Sequence, residues 1–186
     1  MSDIDLQQLA ADVAYIKDRM AIEDCIHRHA RGHDRFDIEL MTSCYHEDGI
    51  DEHGAAAIHR GPDYGEWANA THARGAQQNL HNITTHTCEI EGDNAHAESY
   101  VLVGLLNPDG ATMRFINGRY VDRLEKRDGE WRIALRRCTL DLMLLGDASL
   151  MQSPYIGQAG YIRGMRDRSD VSYMRPLTLD GAVERL

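Results

Sequence analysis

Apolar residues recur along the first part of the chain at the spacing of a helix. Leu6, Leu9, Val13, Ile16 and Met20 set a stripe that Ile22, Cys25, Ile26 and His29 continue, which predicts one long helix or two abutting ones over residues 4–33. A short helix should follow around residues 36–43, and another from Pro62 to about Ala73. Proline suits the first turn of that helix, and Asp63 suits the positive end of its dipole. From residue 78 the period changes to two: ITTHTCEIEGDNAHAESYVLVG reads as two strands around Gly92-Asp93-Asn94, and RFINGRYVDRLEKRDGEWRIALRR as two more around Arg127-Asp128-Gly129. A short strand over residues 47–52 should join the same sheet. Helices first and an antiparallel meander afterwards is an α+β pattern. Residues 142–186, with Gly146, Pro154, Gly157, Gly160, Gly164 and Pro176, keep no period and read as an extended tail. The organisation expected is therefore one domain over residues 1–145 and an extension over 146–186 that lies on that domain or on a neighbouring subunit.

Composition narrows the functional classes. The chain has 186 residues, 42% of them hydrophobic, enough for one substantial core. With 20 Lys+Arg against 30 Asp+Glu the net charge is −10, and no basic stretch could follow a phosphate backbone, so nucleic acid is not an expected partner. The first twenty residues carry acids where a secretion signal needs positive charge, and no apolar run approaches a membrane span. A cytoplasmic protein is the expectation. The four cysteines, Cys25, Cys44, Cys88 and Cys138, are widely spaced and form no C-x-x-C, which points to reduced thiols.

Polar residues that interrupt apolar faces are the candidates for chemistry. His29 falls where the Ile22–Ile26 stripe calls for an apolar side chain. Asp34 stands at the expected C-terminal end of that helix, where the dipole disfavours a carboxylate and another interaction must hold it. His81 opens the strand after the third helix, and His86, five residues on, should face the opposite side. Arg137 alternates with Trp131, Ile133 and Leu135 and so should be buried, and either paired or bound to something anionic. Each alone could be an ordinary satisfied polar group; converging on one cavity they would form an active site. His53 is a candidate substrate contact, Tyr100 a candidate hydroxyl donor, and Trp67, Phe115 and Met113 candidate cavity walls; solvation or plain packing are the alternatives. His29 and His33 stand at i and i+4, which with Asp34, His81 or His86 could bind a divalent metal, but no H-E-x-x-H or clustered Cys/His spacing supports one. No nucleotide-binding glycine pattern is present, so neither metal nor cofactor is expected.

Three segments, IEDCIHRHARGHDRFDIELMTSCYHEDGIDEHG, HNITTHTCEIEGDNAHAESY and NGRYVDRLEKRDGEWRIALRR, resemble the recurrent blocks of the SnoaL-like, nuclear-transport-factor-2-like superfamily, over about residues 5–142. They are nearest in appearance to the branch of scytalone dehydratase, bile-acid 7α-dehydratase and hexachlorocyclohexane dehydrochlorinase. The resemblance implies a cone-shaped, curved antiparallel sheet wrapped around the N-terminal helices. It also implies a catalytic pair, His81 oriented by Asp34, with His29 in place of a tyrosine or lysine of the relatives and Arg137 in place of their last-strand arginine. A carboxylate on one imidazole nitrogen fixes the tautomer, and the other nitrogen can take a proton from carbon. The function implied is cofactor-independent elimination, dehydratase-like, on a hydrophobic cyclic, aromatic or polyketide-like molecule. An isomerase or cyclase using the same step, and a non-catalytic ligand-binding or assembly subunit, are the alternatives. A homo-oligomer is expected, a trimer ahead of a dimer.

Overall fold

The computed structural model describes residues 5–186. The first expected helix is a single one, α1 (Leu6–Asp34), capped by Asp5, whose carboxylate accepts from the amides of Gln7 and Gln8. Residue 4, where that helix was expected to start, lies outside the described residues. Only its second half is buried: Ile22, Cys25, Ile26, His29, Ala30 and His33 face inward, whereas Leu6, Leu9, Val13, Ile16 and Met20 are exposed. Among the described residues the apolar stripe of the first half is thus left exposed. Helix α2 (Ile38–Ser43) leads into strand β1 (Tyr45–Glu52), a short β2 (Ile58–Arg60) that the sequence pattern does not announce, and helix α3 (Gly61–Gly75).

Four long strands follow, β3 (Gln78–Glu91), β4 (Asn94–Leu106), β5 (Thr112–Arg127) and β6 (Glu130–Asp147), in an open six-stranded sheet of order β2-β1-β6-β5-β4-β3. All neighbours are antiparallel except β1 and β6, which run parallel. The fold is α+β. The main core lies between the helices and the sheet and includes Ile22, Ile26, Met41, Tyr45, Leu124 and Ile133.

Bulges change which side chains face inward. In β6, Arg123 pairs with Leu135 but Leu124 with Ile133, so Ala134 is an extra residue and the alternation inverts after it. Arg136 therefore turns inward, fully buried, and Arg137 turns outward. The expectation that Arg137 is buried is overturned for this reason. In β3 the register slips between Ile83 and His86, so His86 stands opposite Ser99 on the same face as His81 opposite Val103. The two histidines were expected on opposite faces.

The tail is not purely extended. It contains a 3-10 turn (Ser149–Gln152), helix α4 (Pro154–Ala159) and a second 3-10 turn (Val171–Tyr173). Residues 164–173 lie back on the end of α1: Asp170 pairs with Arg35 at 3.2 Å, Tyr173 donates to Asp37 at 3.0 Å, and the Arg166 guanidinium stands 4.4 Å from the Phe36 ring centre. Leu144, Leu145, Leu150, Met151 and Tyr155 remain exposed. No described helix is long and apolar enough to cross a membrane, and the four cysteines are free thiols.

Candidate functional site

Helix α3 presents Tyr64, Trp67, Ala68, Thr71 and His72 to one cavity of about 150 Å³, a spacing of i, i+3, i+4, i+7 and i+8 that defines a single helical face. Val101, Val103 and Leu105 of β4 and Ile116, Gly118 and Tyr120 of β5 form the facing wall. Gly61, at the start of α3, allows the close approach: a Cβ there would clash with the Tyr45 side chain.

On one side of the cavity stands His81, its side chain 5% exposed, with Nδ1 at 2.8 Å from Oδ1 of Asp34. Asp34 is held at the helix terminus by the His81 backbone amide, which donates to both carboxylate oxygens at 3.0 Å, and by Nδ2 of Asn79 at 3.3 Å. These donors outweigh the unfavourable dipole. A carboxylate accepts only, so Nδ1 of His81 carries the hydrogen and Nε2 is left with a lone pair.

A second polar chain, which sequence reasoning did not assemble, runs from the buried sheet to the cavity wall and ends beside His81. The buried guanidinium of Arg136 makes a two-pronged pair with Asp122, at 2.8 and 2.7 Å, and donates through Nη1 to Nδ1 of His29 at 2.8 Å. His29 then donates from Nε2 to the Tyr45 hydroxyl at 3.0 Å, Tyr45 donates to Asp51, and Asp51 accepts from Nδ1 of His53. Nε2 of His53 lies 3.1 Å from the Tyr64 hydroxyl, which lies 3.0 Å from Nε2 of His33. With His53 neutral, Tyr64 donates to it and accepts from His33, so Nδ1 of His33 bears a lone pair. That atom is buried and has no hydrogen-bond partner, and the same holds for Nδ1 of His72.

Burial, reinforced by Arg136 for His29 and by His81 for His33 and His72, holds these three rings below the ordinary imidazole range, His72 down to about 3. Burial likewise pushes the Tyr45, Tyr64 and Tyr120 hydroxyls up. Burial also raises the Cys138 thiol, which lies 3.2 Å from Nε2 of His53. All these groups are neutral donors or acceptors at neutral pH.

The structure brings His81, Asp34, His53 and Trp67 together at the cavity. It does not bring the rest there. His29 is fully buried behind it, consumed by Arg136 and Tyr45. Arg137 is outside, paired with Glu52 at 2.6 Å. Tyr100 is 45% exposed, on the outer face of β4. Met113 and Phe115 lie on the face of β5 opposite to Ile116, Gly118 and Tyr120, so they are not cavity walls. His86 is bonded to Ser99 at 2.9 Å. The residues missed are Arg136, Asp122, Tyr45, Asp51, Tyr64 and His72. The helical stripe through Tyr64 and His72 was a readable signal; for Arg136 none existed, since its inward turn depends on the bulge.

Among the described residues two groups of three have ligand-type atoms within 4.8 Å of one another: His33, His72 and His81, and Asp51, His53 and Cys138. The i, i+4 pair His29/His33 does not form one.

Among solved structures, the fold resembles a variant of the Rv3472 protein of Mycobacterium tuberculosis, described as of unknown function, at 33% identity and a TM-score of 0.61, over 70% of this chain and 75% of that one. It also resembles the hexachlorocyclohexane dehydrochlorinase LinA-type3 of Novosphingobium barchaimii LL02, at 20% identity and 0.67, over 73% and 94%. A protein of Nostoc punctiforme with a cystatin-like fold matches at 23% identity and 0.53, over 67% and 91%. No curated protein matches the sequence as a relative. The model of the SnoaL-like domain matches residues 14–137, two thirds of the chain, so the chain belongs to the SnoaL-like domain family.

Proposed function

We propose that the chain is a lyase that eliminates a leaving group, water foremost, from a hydrophobic cyclic, aromatic or polyketide-like molecule without an organic cofactor. The observation that carries this reading is the 2.8 Å contact of His81 with Asp34, with Nε2 of His81 left free at the wall of a mostly apolar cavity. His81 removes a proton from carbon, the C=C bond forms as the C–O bond breaks, and the departing hydroxyl takes a proton. His53, held by Asp51 and lining the same cavity, is the group that passes a proton to it. Two His–Asp pairs flanking one cavity favour elimination over isomerisation, which has no leaving group to protonate. They also favour catalysis over ligand carriage, since a carrier gains nothing from two buried carboxylates. The resemblance to dehydrochlorinases and dehydratases supports the class of reaction and leaves the substrate open. The working form we propose is a homo-oligomer in the cytoplasm, trimeric ahead of dimeric, which covers the exposed apolar groups of β6 and the tail.

The test is a mass-resolved screen of hydroxylated cyclic and aromatic compounds with the wild-type chain beside His81→Ala. Loss of water from a compound by the wild type alone supports the reading. A product of unchanged mass would make the chain an isomerase or cyclase, and tight binding of compounds without turnover would make it a carrier.

A further inference from the structure

We infer that His33, His72 and His81 form a binding site for a divalent first-row transition metal ion, zinc above all, and that an ion bound there switches off the base. One nitrogen of each ring already lies within 4.8 Å of the other two. Three imidazoles on a tetrahedral ion at 2.0–2.1 Å place their nitrogens about 3.3 Å apart, so small side-chain rotations close the site.

The hydrogen-bond network prepares the rings for this. Asp34 takes the hydrogen of Nδ1 on His81 and so keeps Nε2 unprotonated, which is the carboxylate–histidine arrangement that orients metal ligands. Tyr64 takes the hydrogen of Nε2 on His33 and leaves Nδ1 with a lone pair that no protein donor meets, although His33 is only 1% exposed. Nδ1 of His72 is likewise buried and unpartnered. Buried ring nitrogens without partners are costly, and a cation that takes a lone pair from each removes the cost. Soft-to-borderline nitrogen ligands with no carboxylate in the trio select zinc, cobalt, nickel or copper over magnesium or calcium. Three protein ligands leave a fourth position open to the cavity. The other trio is a poorer site, because Asp51 and His53 are already bonded to each other and to Tyr45 and Tyr64.

Metal binding stands on this geometry alone. Inhibition rests on the proposed role of His81, since an ion on Nε2 leaves no lone pair for a substrate proton.

The experiment is titration of the chelator-stripped full chain with Co²⁺, read by its visible absorption, and with Zn²⁺ by calorimetry. Expected are one ion per chain, four-coordinate cobalt bands, at least about tenfold weaker binding in His72→Asn and in Asp34→Asn, and no change in His96→Asn, an exposed histidine elsewhere. Nitrogen-15 spectra of the wild-type histidine rings guard against a variant that fails to fold: zinc should move the signals of His33, His72 and His81 and leave His96 in place. Absence of stoichiometric binding, or binding that follows His96 rather than the trio, overturns the site. Zinc that binds the trio without lowering turnover overturns the inhibition and, with it, the role of His81, while the site itself stands.

Discussion

Arg136 donates to Nδ1 of His29 across 2.8 Å in a fully buried contact, and because a guanidinium can only donate, the tautomer of His29 is fixed. The same contact keeps His29 neutral: burial first, and Arg136 second, hold its pKa well below the ordinary 6.5. The unfolded chain therefore takes up a proton below pH 6.5 that the folded ring refuses. Stability contributed by His29 is fully present above that value and falls as pH drops, at about 1.4 kcal/mol per pH unit. In urea unfolding of metal-free protein between pH 7 and 5, His29→Gln, which keeps an acceptor and a donor but does not titrate, should flatten the slope by about that amount. An unchanged slope would mean that His29 titrates alike in both states.

Asp122 and Arg136 form a buried ion pair, and removing one member leaves the other charge uncompensated. Asp122→Ala should destabilise the fold by about 3–5 kcal/mol. Arg137→Ala, on the outward side of the same strand, should leave both the melting temperature and the activity near wild type. The reverse result would place the inverted alternation of β6 elsewhere.

Once a substrate is in hand, Asp34→Asn and His81→Ala should each lower kcat by at least about 10²-fold with the fold intact. Asp51→Asn should lower kcat less for a substrate whose leaving group needs no proton, such as chloride, than for a hydroxyl. Equal loss on both leaving groups would remove His53 from the role of acid.

Tyr64→Phe deletes the hydroxyl between His53 and His33. Ring nitrogen-15 spectra of the wild type should show His33 with its hydrogen on Nε2 at neutral pH and His53 with its own on Nδ1. The variant should lose the preference of His33 while leaving His29 unchanged, because Arg136 alone sets the latter. A His29 tautomer that follows Tyr64 would contradict the direction of the chain.

The exposed run Leu140, Leu142, Met143, Leu144 and Leu145 in the last part of β6 should be covered by another copy of the chain, at about 25 cal/mol per Å² of apolar surface removed from water. Light scattering behind size exclusion should find a trimer or, failing that, a dimer; a monodisperse monomer at micromolar concentration would refute the assembly. Truncation after Asp147 removes the contacts of Asp170 and Tyr173 with the end of α1, and should lower the melting temperature.

The local code of this chain was legible wherever a period ran unbroken. The helical stripe of Ile22, Cys25 and Ile26 predicts α1, Pro62 and Asp63 mark the start of α3, and the turns at Gly92 and Gly129 set the two hairpins. Asp34 and His81 stood out because each breaks a local rule, a carboxylate at a helix C-terminus and a histidine on an apolar face. Whether two such exceptions meet is a matter of strand pairing and helix packing, and only the folded chain brings them to 2.8 Å. Strand parity was the weak link: a bulge adds one residue without changing composition, so Arg136 and Arg137 exchange faces, and His86 joins the face of His81, through pairing decided by neighbouring strands. The chain from Arg136 to His33 joins five separate elements, α1, β1, the β1–β2 turn, α3 and β6, and no spacing in one dimension encodes such a convergence.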